Sequence, residues 1–203
     1  MPKKVSLFAQ REQPIRWGRA VLVGSMSTVF MMSFIDVFYL MGVTPFSFEY
    51  YVGSLFNGIA YGPYSWIEGF LANLAVGGFL GIFYAYCFEY VFKRANSRLG
   101  IWVGVWHTVL AAVAVFPFFN AIHEQINSQA YPHFGLLGAG LGAPTPLLIF
   151  VGHLLFGASM GLFYGAVRAD RVRNRFFEPG ELGAVGDESV ITSEEDHPER
   201  WAI

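Results

Sequence analysis

The sequence predicts an all-α integral membrane protein of four transmembrane helices, arranged as two parallel-repeat hairpins. Three observations carry this. Long stretches lack Asp, Glu, Lys and Arg altogether: Gly69–Phe88, Leu99–Ile122 and Pro144–Val167. About 20 apolar residues cross a hydrocarbon core of about 30 Å, so each stretch is long enough to span. The second observation is an internal match. Residues 70–86 align without a gap on residues 150–166, pairing Phe70 with Phe150, Gly77 with Gly157, Gly81 with Gly161 and Tyr84 with Tyr164. The same offset pairs Gly24 with Gly104 and Thr28 with Thr108, so the match runs through two segments and reads as a duplication. The third is a one-sided distribution of basic residues.

The first span is expected over about residues 17–41. Lys3, Lys4, Arg11, Arg16 and Arg19 flank it, and Trp17 stands at an interfacial position. No small-residue cleavage site follows the apolar run, so residues 1–16 read as a cytoplasmic segment rather than a cleavable signal. The second span is expected at about 66–91. It is closed by Lys93, Arg94 and Arg98 in a short cytoplasmic loop, 92–99, and completes a first membrane hairpin, 17–91. Spans at about 100–122 and 146–168 form the second hairpin, 100–168, followed by Arg168, Arg171, Arg173 and Arg175. The opposite loops, 42–65 and 123–145, contain no Lys or Arg. Basic residues mark the cytoplasmic side of short loops, so both termini are expected in the cytoplasm of a bacterial inner membrane, with these two loops outward. Both hairpins then run the same way, as a duplication about an axis along the membrane normal.

The outward loops are too apolar for exposed coil. Phe46, Phe48, Tyr50, Tyr51 and Phe56 in the first would make a large patch, so each hairpin is expected to carry a short interfacial or re-entrant helix on its outer side. The remaining stretch, 169–203, turns from basic to acidic and lacks periodicity, which reads as a flexible cytoplasmic tail.

Composition excludes several function classes. Only 14% of the 203 residues are charged, against about 25% in soluble domains. No aromatic-basic interleaving points to nucleic acid. A single Cys87 gives no disulfide framework within one chain. No nucleophile motif and no phosphate cradle occurs, so an enzyme is not the expected reading. The 23 glycines recur at small-xxx-small spacing, as in Gly77/Gly81 and Gly157/Gly161/Gly165, which lets helix backbones approach closely in lipid.

Ionisable residues at membrane depth are functional candidates by default. They gather toward the outer side. Asp36 ends span 1, and Asn120, His123 and Glu124 end span 3. His153 lies about two turns inside span 4, with Asn73 at the equivalent place in the first repeat, and His133 stands in the second loop. These residues form a candidate polar cluster for a ligand or for Zn or Cu, which imidazole and carboxylate suit. A hydrogen bond from His153 to Asn120 or Asn73, or from a His to Asp36 or Glu124, is the expected structural use. A haem within this chain alone is not expected, because His107 and His153 are each about seven residues in from opposite faces. At 1.5 Å per residue that separates them by about 10 Å along the normal.

The run His153-x-x-Phe156-Gly157-x-x-x-Gly161-x-x-Tyr164-Gly165, with Pro117 and Ile122-His123 before a Gly-rich loop, resembles a pattern of uncharacterised bacterial four-span membrane proteins with duplicated Gly-rich hairpins. The resemblance covers about residues 17–168 and implies the fold, with no activity to carry over. In the first repeat Asn73 replaces the His. The expected role is a non-enzymatic accessory or scaffold subunit embedded in the lipid bilayer, packing with itself or with a larger membrane complex. The alternative is a small transporter or channel subunit that uses the outer polar cluster.

Overall fold

The computed structural model describes residues 15–167, and within them every regular element is helical. The N-terminal segment up to residue 14 and the tail from residue 168 lie outside the described residues. So do the basic residues expected to flank the chain there, Lys3, Lys4, Arg11, Arg168, Arg171, Arg173 and Arg175.

Four helices are long and apolar enough to cross a bilayer, which makes the chain a multi-pass membrane protein: α1 (Trp17–Leu40), α3 (Pro63–Val91), α4 (Ser97–Ile122) and α6 (Thr145–Phe163). Two short helices, α2 (Phe48–Asn57) and α5 (Glu124–Asn127), lie in the connections at one end, here termed the loop end. The opposite, terminal end carries Arg16, Arg19, Lys93, Arg94 and Arg98.

Helix boundaries follow local chemistry. α3 begins three residues before the expected start because Pro63 at its first turn has no N–H to leave unsatisfied. α4 likewise starts early, at an N-cap where the Asn96 side chain accepts from the Leu99 N–H at 3.0 Å. α6 stops at Phe163, short of the expected residue 168, and Gly165 behind it takes a left-handed φ of +80°. Arg19 spans the α1–α6 junction there, donating to the freed Phe163 carbonyl at 2.8 Å through Nη2.

The main seams run α1–α3, α4–α6, α1–α6 and α2–α3, and α3 and α4 share none comparable. Glycine sets the two seams within the helix pairs, α1–α3 and α4–α6. A Cβ at Gly24 would meet the Gly77 carbonyl, and one at Gly81 would meet the Ala20 carbonyl. Across the other seam, Gly157 sits against Gly100, and Gly161 against Asn96. In hydrocarbon this backbone-to-backbone packing replaces an absent hydrophobic drive. Thr28 donates back to Gly24 O at 3.1 Å, and Thr108 to Gly104 O at 3.0 Å, so each hydroxyl is closed within its own helix. Gly165 belongs to no such seam. Its role is the helix end beneath Arg19, which corrects the packing role expected for it.

The first loop is not an exposed patch. α2 folds down onto α3, where Gly53 approaches the Ser65 carbonyl and Gly69 approaches that of Glu49, and Phe46 and Tyr51 are buried. The second loop, held by α5 and a 3-10 turn at Leu136–Leu141, delivers Tyr131 and Phe134 to the same core. Tyr51 stacks on Tyr131 with centroids 4.1 Å apart, and Phe116 on Phe134 at 4.7 Å. Thr44 and Thr145 share a buried hydrogen bond of 2.8 Å between the first loop and the start of α6.

Candidate functional site

Because α3 and α4 are not packed on one another, a space remains between them. It is a cavity of about 350 Å3. Its floor is α1 and α6, contributing Thr28, Met31, His153 and Phe156. Its walls are α3, with Asn73 and Val76, and α4, with His107 and Leu110. Phe46 and Phe134 from the two loops roof it. Val76 and Phe79 on one rim and Leu110 and Val115 on the other are exposed on the outer surface of the helices. The cavity therefore opens sideways, at the level of the apolar helix faces.

The α4 wall owes its shape to a break in the regular helix. Residues Ala111–Val115 form a wide π turn just before Pro117. Proline has no N–H for the preceding turn and its ring crowds the carbonyl four residues back, and the wide turn absorbs the mismatch. Such π bulges recur at functional sites, and this one places Ala111 and Val115 on the cavity.

Five polar side chains line the cavity: Thr28, whose hydroxyl is closed on Gly24 O, Tyr51, whose hydroxyl is buried without a partner among the described residues, and His153, His107 and Asn73. His153 Nδ1 lies 2.7 Å from the Ile149 carbonyl, which only accepts, so Nδ1 carries the proton and Nε2 of the neutral ring keeps a lone pair. His107 meets His153 edge to face, with ring centroids 4.5 Å apart, and its Nδ1 is 3.4 Å from the Tyr84 hydroxyl. Asn73 is 9% exposed, and its side-chain nitrogen has no partner among the described residues.

The contact between His107 and His153 corrects the separation of about 10 Å expected from counting residues inward. Shortening of α6 and the early start of α4 bring both rings to one level. Haem is still a poor fit between them: centroids 4.5 Å apart leave no room for a porphyrin plane, since each ring requires about 3.5 Å of its own.

The remaining members of the expected polar cluster go to separate partners. His123 Nε2 donates to the Tyr51 carbonyl at 2.7 Å and lies 3.2 Å from Ser54 Oγ. Burial holds the His123 imidazole below its ordinary pKa, and the bond to Tyr51 opposes that only in part. Burial likewise raises the phenols of Tyr51 and Tyr131. Asn120 Oδ1 accepts from the Phe134 N–H at 3.0 Å. Asp36 turns toward the Glu49 carboxyl and the Ser47 hydroxyl, and Ser47 donates to Glu49 Oε2 at 2.8 Å. Glu124 and His133 are exposed. The expected bonds from His153 to Asn120 or Asn73, and from a His to Asp36 or Glu124, are thus replaced: Glu49 of α2 meets Asp36, the Tyr51 carbonyl of α2 takes His123, His153 closes on Ile149 of its own helix, and Glu124 stays exposed. Among the described residues no group of three or more His, Cys, Asp or Glu is placed to hold a metal ion.

Glu89 is the buried acid that the sequence reading does not single out. Glu89 is buried near the terminal end and accepts from the Tyr164 hydroxyl at 2.9 Å. Its signal was available: one acid in an apolar helix, just before Lys93 and Arg94. In comparisons with known proteins, no family model, no curated protein and no solved structure matches this chain.

Proposed function

We propose that the chain is a non-enzymatic accessory or scaffold subunit of the bacterial inner membrane, packing with itself or with a larger membrane complex. Its two helix pairs are copies of one parallel hairpin. The support for duplication is that the two glycine seams use residues 80 apart, Gly77 with Gly24 and Gly157 with Gly104. Lys93, Arg94 and Arg98 at the terminal end, against none in the loops of the other, support cytoplasmic termini.

The observation that carries the accessory reading is where polar groups turn. His123 closes on Tyr51, Gln125 donates to the Gly58 carbonyl at 2.6 Å, Asn57 donates to Glu68 at 2.7 Å, and Arg19 closes on Phe163. Polar groups so engaged hold a compact body together and leave apolar faces for neighbours. A transport path would instead present them to a water-filled passage, whereas the cavity opens sideways between apolar rims.

Purification from the native membrane in mild detergent, with mass spectrometry of what accompanies the chain, tests this. A fixed stoichiometric membrane partner or a defined homo-oligomer is expected. A lone monomer that conducts ions or solutes in proteoliposomes overturns it. Reporters fused after Ile203 and inserted near Gln129 are expected on the cytoplasmic and outer sides respectively, and the reverse overturns the orientation.

A further inference from the structure

We propose that the lateral cavity is a binding site for a membrane quinone, a planar ring bearing carbonyl oxygens on an apolar polyprenyl tail. This goes beyond the accessory role, which does not need the cavity filled.

Four features fit that chemistry together. The rims at Val76 and Leu110 are apolar and exposed, so a ligand enters from hydrocarbon rather than from water. A quinone resides there, and its tail can stay outside between α3 and α4 while the ring goes in. The interior is aromatic: Phe46, Phe116, Phe134 and Phe156 offer ring faces and edges to a flat guest. The volume of about 350 Å3 stands near the lower end of small-molecule sites, which run about 300–1,000 Å3, and suits a ring head rather than a whole lipid.

The fourth feature is hydrogen bonding. Asn73 is nine-tenths buried with its amide N–H2 unpartnered among the described residues, which is costly unless something accepts from it. A ring carbonyl is an acceptor. An acyl chain is not, and it would leave the amide as it stands. Across the floor His153 Nε2 holds a lone pair, which accepts from a ring hydroxyl when the guest is in its quinol form. One site thus offers a donor and an acceptor to a molecule that has one form for each.

The test uses the full chain in phosphatidylcholine nanodiscs with a tritiated benzoquinone bearing a decyl tail. Saturable binding of one probe per chain is expected, undisturbed by an equal concentration of 1-octadecene, a hydrocarbon chain with no acceptor. Asn73→Leu is expected to raise the melting temperature of the empty protein, by removing an unsatisfied donor, and to weaken probe binding about three- to tenfold. Leu110→Trp on the lipid-facing rim is expected to abolish binding while leaving the fold and any co-purifying partner in place. Should Asn73→Leu fail to fold, Leu110→Trp decides alone. The proposal is overturned by absent saturable binding, by displacement with 1-octadecene as readily as with unlabelled probe (an acyl-chain site), or by a folded Leu110→Trp that binds like the wild type. A lost partner with binding intact would count against the accessory role alone.

Discussion

The imidazole of His123 donates to the carbonyl oxygen of Tyr51 across 2.7 Å, and this bond joins the far end of α4 to the middle of α2. The other ring nitrogen, Nδ1, is buried without a partner among the described residues. The neutral ring leaves only the Nδ1 lone pair unfilled, whereas the charged ring would bury a second N–H with nothing to accept it.

That asymmetry sets a pH dependence. The folded-state pKa of His123 is below its ordinary 6.5, so below that value the unfolded chain binds more protons than the folded one. The stability contribution is complete above the ordinary pKa and is lost as pH falls toward the depressed one. Melting temperature in detergent should drop between about pH 7 and about pH 5, and His123→Gln, which does not titrate, should flatten that part of the curve. An unchanged slope in the variant would assign the effect to other groups.

The glycine seams predict a sharp size limit. Gly77→Leu and Gly157→Leu each drive a side chain into a neighbouring element, Thr28 and Gly24 in one case and Gly100 and Gly104 in the other. Overpacking a well-filled interface costs about 1–3 kcal/mol, and more where backbone must separate. Both variants should lose thermal stability alike. Gln129 offers the control: it is exposed in the second loop with φ +64°, so Gln129→Gly should be neutral or slightly stabilising. Wild-type melting in both leucine variants would remove the packing role.

At the terminal end, Tyr164→Phe tests the buried acid. The Tyr164 hydroxyl donates to Glu89, which is 8% exposed. Removing the hydroxyl takes a donor from a buried carboxyl oxygen, which costs about 1–3 kcal/mol. Tyr84→Phe, at the matching place in the first helix pair, loses only a long contact of 3.4 Å to His107 and should cost less. Equal losses would mean the two tyrosines do the same work despite their different partners.

The four spans were legible because apolar length needs no tertiary information. Their ends moved where Pro63 and Asn96 could start a helix early and Gly165 could stop one. Of the glycines at small-xxx-small spacing, Gly77, Gly81, Gly157 and Gly161 lie in helix seams, whereas Gly165 ends a helix instead, a difference that spacing alone does not carry. The polar cluster was not legible. Depth along a span says nothing about which loop folds over it, and α2, tucked against α3 through Gly53 and Gly69, supplied Glu49 to Asp36 and the Tyr51 carbonyl to His123. The cavity escaped for a related reason. It exists because two helices fail to pack, and a missing contact leaves no periodicity. Pro117 was the one visible clue.

The Asp36–Glu49 pair gives the last prediction. Both side chains are carboxyl groups, and ionised carboxylates only accept hydrogen bonds. Ser47 supplies one hydroxyl, which already donates to Glu49 Oε2 at 2.8 Å. Asp36→Asn keeps the shape, removes one like charge and adds an N–H2 donor facing Glu49. The variant should therefore melt higher than the wild type, by about 2–4 °C for each kcal/mol recovered in a chain of this size. Glu49→Ala should melt lower, because Glu49 is buried in the α2–α3 packing and its removal leaves a hole there. A lower melting temperature for Asp36→Asn would reverse the reading: the second carboxyl would then be needed as an acid, and the pair would be a place where this protein holds a proton or a cation beside the first loop.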